Sequence, residues 1–145
     1  MIKHLFLLLL LLFPLLPVVS QTRPPQASDT PLRIPVAYIA DPTRPTLLVF
    51  ISDNCYPCHR LINRLFRRKK VNDILQQVNL LYVNVGTPEG LRYYQAFCNK
   101  HRVGLPYLAL FDSHQNPINR FEGCPGAAST LVGYLRISLR LPPYN

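Results

Sequence analysis

Acidic residues are scarce in this chain. Across 145 residues, 7 Asp plus Glu stand against 16 Lys plus Arg, a formal net charge of +9. Such a surface favours acidic partner proteins or an anionic membrane face. A second lack argues against nucleic acid as a partner. Around the densest cations, Arg64, Arg67, Arg68, Lys69 and Lys70, there is no aromatic platform and no recognition motif. Those cations read instead as a solvated helix end, where positive charge suits the negative end of the helix dipole. Methionine occurs only at Met1, and internal repeats are absent. No apolar run reaches the ~20 residues that a bilayer span needs.

The longest apolar run, Leu5–Leu16, is broken only by Pro14; Lys3 precedes it and Val18-Val19-Ser20 follow. A positive start, a short apolar centre and modest residues before Gln21 predict a cleaved secretory signal over residues 1–20. An uncleaved membrane anchor is the alternative. No cysteine follows the run directly, so lipid attachment there is not expected. Residues 21–33 are polar and proline-rich, which predicts an extended or disordered lead-in. Residues 34–145 remain as one domain, enough for a real core and too few for two. Export to the periplasm or the extracellular space would put Cys55, Cys58, Cys98 and Cys124 where disulfides form and persist.

Two of those cysteines are closely spaced, in Cys55-Tyr56-Pro57-Cys58. The motif lies between the apolar run Thr46–Ser52 and a helical pattern with Leu61, Ile62, Leu65 and Phe66 on one face. Pro57 suits a first helical turn, which has no use for its missing N–H. Cys58 falls on the apolar stripe and Cys55 ahead of the helix, which predicts an exposed first cysteine and a shielded second one. Unpaired N–H groups and the helix dipole stabilise a thiolate at such a place. The spacing therefore fits Cys55 as attacking nucleophile and Cys58 as resolving thiol, exchanging electrons with a disulfide in another protein. A structural disulfide is the plain alternative.

His59 extends the motif to Cys-x-x-Cys-His, which is also the attachment signature of c-type haem. In that chemistry His59 would be the proximal ligand. His101 or His114 would have to be the distal one, because Met1 leaves with the signal. A strand feeds the motif here, whereas small c-type cytochromes are mainly helical. Zinc held by all four cysteines lacks a second Cys-x-x-Cys, so no metal is expected.

Strands are predicted at Thr46–Ser52, Leu80–Val85, Tyr107–Phe111 and Ile118–Phe121. Helices are predicted from Pro57, over Leu91–His101 and over Ala128–Leu139. Val36–Ile39, between Pro35 and Pro42, reads as a short edge strand. Val71–Val78 reads as a further helical piece or an irregular link. The order is β-α-β-α-β-β-α. A helical crossover makes the first two core strands parallel, and the last two form a hairpin. The result is an α/β fold with a central mixed sheet flanked by helices. With a cysteine pair at the first strand-to-helix junction, it resembles the thioredoxin fold from Thr46 to Arg140.

Thioredoxin-like proteins carry a proline, preceded by a cis peptide bond, just before the third core strand. That loop faces the cysteine pair and offers backbone groups to an extended substrate segment. Val103-Gly104-Leu105-Pro106-Tyr107 matches it in place and character. The resemblance thus implies substrate binding by Leu105 and Pro106, together with Tyr56 and Pro57 between the cysteines. Three positions depart from the family. Val49 stands where thioredoxins place a buried acid, Asn54 where an aromatic commonly precedes the first cysteine, and Tyr56-Pro57 replaces Gly-Pro. Cys98 and Cys124 stay open: a second disulfide, two separate thiols, or an electron relay.

The resulting expectation is an exported, monomeric thiol–disulfide oxidoreductase acting on the thiols and disulfides of other exported proteins. A pathway-specific reductase is slightly preferred over an oxidase. An isomerase fits least, since no length remains for a dimerisation domain. No cofactor is expected beyond the redox-active Cys55–Cys58 disulfide. Electrons would pass to or from another protein, with a membrane-bound redox partner as the expected source or sink. The competing expectation is a non-catalytic thioredoxin-fold adaptor in an envelope assembly, with the pair as a staple.

Overall fold

The computed structural model describes Ile34, Tyr38–Cys98 and Gly104–Pro142. The predicted signal (1–20) and lead-in (21–33) lie outside the described residues.

Strand β1 (Thr46–Ile51) has no glycine, proline or charge to break it, and Thr46 to Phe50 are all buried. That double-sided burial is what a central strand covered by helices requires. β1 pairs in parallel with β2 (Asn79–Asn84), Leu47 opposite Leu80. On its other side it pairs antiparallel with β3 (Tyr107–Phe111), Phe50 opposite Tyr107. β4 (Pro117–Glu122) closes the sheet as an exposed antiparallel edge, and the strand order is β2-β1-β3-β4. Pro117 is tolerated because it opens an edge strand.

Among the described residues, four helices flank the sheet. α1 (Tyr56–Arg60) runs into a π-helical turn, Leu61–Leu65, closed by the Phe66 N–H donating to the Leu61 carbonyl at 2.9 Å. α2 (Lys69–Leu75), α3 (Pro88–Cys98) and α4 (Ala128–Leu139) follow. The predicted β-α-β-α-β-β-α order and the mixed sheet are those observed, with α2 as the additional helical piece.

Alternation along β1 and β3 sorts the interior into two cores. Leu47, Val49, Leu108 and Leu110 meet Leu61, Leu65, Val71, Ile74, Leu131 and Leu135 from the π turn, α2 and α4. Leu48, Phe50, Tyr107, Ala109 and Phe111 meet Tyr94 and Cys98 of α3, together with Ile34.

Strands β1, β2 and β4 shift by one residue at one or both ends from expectation, and two larger differences stand out. α3 starts at Pro88 rather than Leu91, because the Thr87 hydroxyl accepts the Gly90 N–H (3.0 Å) and Pro88 takes the first helical position. Gly90 is required there, since a Cβ would collide with the Asn84 carbonyl. Half of the edge strand expected at Val36–Ile39 lies outside the described residues, and its described members, Tyr38 and Ile39, belong to no strand. Among the described residues no helix is long and apolar enough to cross a membrane.

Candidate active site

The C-terminal end of β1 delivers the cysteine pair. After Ile51 the chain turns, with the Cys55 N–H donating to the Ser52 carbonyl at 3.2 Å. Cys55 is extended (φ −92°, ψ 93°) and caps α1, and its Sγ accepts the Cys58 N–H at 3.2 Å. Cys55 and Cys58 are joined by a disulfide with their Cα atoms 5.2 Å apart. The geometry explains why this spacing suits thiol chemistry. The same N–H that caps the helix points at the sulfur that would carry negative charge after reduction.

The exposure expected for Cys55 is corrected. Cys55 keeps 8% of its surface against 2% for Cys58, so the order is as expected but the first sulfur is largely covered. The reason is local: Cys55 Sγ turns inward to bond Cys58 Sγ and to take the Cys58 N–H. Tyr56, between them, is 73% exposed.

Leu105-Pro106 is a cis peptide bond. Because Tyr107 lies opposite Phe50 in the antiparallel register, Pro106 leaves the sheet at the same end as Ile51 and the cysteine turn. Both loops therefore open on one end of the sheet. Tyr94 of α3 and Gly123 after β4 hold the proline loop. The Gly104 N–H donates to the Tyr94 hydroxyl at 3.1 Å, and the Gly123 N–H donates to the Pro106 carbonyl at 2.8 Å.

Residues that sequence reasoning passed over brace the turn before Cys55. The Asn84 amide donates to the Asp53 carboxylate at 3.0 Å, and the His59 Nε2 lies 2.9 Å from the Asp53 carbonyl, to which it donates. Nothing in the spacing of Asp53, Asn84 and Tyr94 points to these roles, because each partner is brought in by strand pairing or helix packing. Val49 is fully buried among aliphatic side chains, so β1 supplies no carboxylate beneath the pair.

Cys98 and Cys124 are not bonded to each other; both are thiols. Cys98 packs in the core under α3, beside the Tyr107 hydroxyl, whereas Cys124 packs against the core on the other side of the sheet. The sheet separates them, which removes the second disulfide that sequence reasoning held open. Burial, and then Cys98, push the Tyr107 phenol above its ordinary pKa.

The fold is thioredoxin-like. The thioredoxin of Thermus thermophilus superposes with a TM-score of 0.58 at 19% identity, over 66% of this chain and 74% of that one. The C-terminal domain of Neisseria meningitidis DsbD in its oxidised form gives 0.55 at 17%, over 67% and 82%. Thioredoxin f2 of Chlamydomonas reinhardtii gives 0.56 at 14%, over 74% and 90%. No protein-family model and no curated protein sequence matches the chain. Within that fold, this chain carries an oxidised Cys-x-x-Cys at the start of α1 and a cis-proline loop at the same end of the sheet.

Proposed function

We propose that this protein is a thiol–disulfide oxidoreductase that exchanges a dithiol for a disulfide with other proteins. The observation that carries the reading is the Cys55–Cys58 disulfide, whose first sulfur caps α1 at the sheet end where the cis-proline loop emerges. In the reducing direction the Cys55 thiolate attacks a partner disulfide. One Cys55–partner S–S bond forms, and one partner thiolate leaves. The Cys58 thiolate then attacks Cys55 Sγ, forming Cys55–Cys58 and releasing the second partner thiolate. Two electrons pass to the partner, whose thiolates take up two protons. Run backwards, the same steps oxidise a partner dithiol. Leu105 and Pro106 hold the partner backbone beside Tyr56 and Pro57.

Our reading extends to an exported, monomeric reductase within one pathway, re-reduced by a membrane-bound redox partner, with no cofactor beyond the cysteine pair. The predicted signal over residues 1–20 supports export. The bond between the two cysteines and the engagement of His59 with Asp53 favour exchange over c-type haem attachment. A non-catalytic adaptor draws support from Val49 and from the small exposure of Cys55. Trapping separates the two. Cys58→Ala should accumulate mixed disulfides through Cys55 in the compartment where the protein acts, resolved on non-reducing gels. An adaptor would accumulate none and would keep its partner when Cys55 is changed to Ser.

A further inference from the structure

A groove of about 510 Å³ lies between the start of α2 and one side of α4. Arg68, Lys69, Lys70 and Arg136 stand along it, and Val132 and Gly133 are among the residues that line it. The charge is one-sided. From Cys55 to Asn72 the chain has six Lys or Arg (60, 64, 67, 68, 69, 70) and no acid, and α4 has no acid. Asp73, ion-paired with Lys69 at 3.0 Å, is the one carboxylate that α2 carries. A Cβ on Gly133 would meet nothing within 4 Å, so the groove is open above that residue.

The groove is also tied to the cysteine pair. Arg60, two residues beyond Cys58, donates to the Gly126 carbonyl at 2.9 Å, just ahead of α4. Arg64 and Arg68 follow at four-residue steps, and Arg68 lines the groove itself. Along the chain, cations thus run from the helix that holds the reactive sulfurs to Arg68 in the groove.

We propose that this groove docks an acidic segment of the protein whose disulfide Cys55 exchanges, a specificity device that rests on the exchange reading above. An extended acidic polypeptide suits it. Carboxylates meet the cations, while the backbone and β-carbons lie over Val132 and Gly133. A recessed, partly apolar floor is a poorer match for the flat face of an anionic bilayer. Steering by such a field speeds encounter and weakens with added salt.

The test uses the full chain, reduced, with two disulfide-bonded peptides of equal length, one Glu-flanked and one Lys-flanked, and with uncharged 2-hydroxyethyl disulfide as reference. At low ionic strength the Glu peptide should react about tenfold faster than the Lys peptide. That preference should collapse in high salt, in Arg68→Glu/Lys70→Glu and in Gly133→Glu, with the 2-hydroxyethyl disulfide rate unchanged. Arg92→Glu, on α3 across the sheet, should behave as the wild type. Equal rates for the two peptides, or the same loss in Arg92→Glu, would overturn the proposal. So would phosphatidylglycerol vesicles bound through the groove cations without peptide discrimination. If the protein reacts with none of the disulfides, the exchange reading fails. Anisotropy of a labelled, cysteine-free Glu peptide then decides docking alone: binding lost in Gly133→Glu upholds it, and no binding ends it.

Discussion

The two faces of the sheet are built differently. One is aliphatic and covered by α1 with its π turn, α2 and α4; Leu, Val and Ile side chains fill it, with Phe66 as its one buried aromatic. The other is aromatic and, among the described elements, covered by α3 alone, with Ile34 added. There Phe50 meets Tyr94 edge to face at 5.3 Å, Tyr94 meets Tyr107 at 5.6 Å, and Phe97 meets Phe111 at 5.2 Å. Many small contacts share the load on the first face, while a few large rings carry it on the second. Function divides along the same line. The aliphatic face carries the helix that holds Cys55 and Cys58, and the aromatic face holds the proline loop through Tyr94.

The largest effect that can break this comparison is a pair of truncations. Tyr94→Ala should cost about 4 kcal/mol, since a fully buried ring with two edge-to-face partners leaves a cavity that few neighbours can fill. Leu131→Ala should cost about 3 kcal/mol. Denaturant unfolding of the oxidised protein gives both values, and a larger loss for Leu131 would reverse the ranking. Tyr94→Phe sharpens the point. It keeps the packing and removes only the hydroxyl that accepts the Gly104 N–H, so stability should fall by about 1 kcal/mol. Protein-disulfide exchange should slow, while the reaction with a small disulfide should not.

The cysteines outside the pair read the two faces chemically. In the oxidised native protein Cys124, half-buried, should be alkylated well before Cys98, which keeps 2% of its surface. After unfolding without reductant, mass spectrometry should count two alkylated thiols; none would restore a Cys98–Cys124 bridge.

The smallest effect concerns acid. Hydrogen bonds from Asn116, side chain and backbone, and from the His114 N–H hold Asp112 below its ordinary pKa of 3.8, and those from Thr43, with Arg44 nearby, do the same for Asp41. A carboxyl depressed in the folded state contributes stability above its unfolded pKa and loses it as pH falls through the folded one. Stability should therefore decline below about pH 3.8, gently, because both carboxyls are exposed. Asp112 shapes the turn whose Gln115 side chain binds the Ile34 N–H and carbonyl at 3.0 and 3.2 Å. Amide exchange at Ile34 should thus rise first, and Asp112→Asn should remove that part of the acid response.

Strong local patterns made most of the fold legible. Continuous apolar runs marked β1 and β3, and Ala128–Leu139 was bounded to the residue by its apolar spacing. The start of α3 was missed because a threonine cap followed by proline lies outside the apolar periodicity that located the helix. Within the site, Cys55, Cys58, Leu105 and Pro106 stand out as motif residues, yet Asp53, Asn84 and Tyr94 do not. Their roles are hydrogen bonds across 6, 10 and 31 residues of chain.

By itself, the sequence determined the element order, the parallel crossover, the cysteine pair at a helix start and the surplus of cations. These follow from short-range rules: side-chain periodicity, the demands of a first helical turn, and charge. Only the tertiary structure decided that Cys98 and Cys124 lie on opposite sides of the sheet, that Cys55 is nearly covered, and that the cations of α2 share a groove with α4. Those outcomes depend on strand register and helix packing. Both are settled by how distant segments bury each other, and no local pattern encodes them.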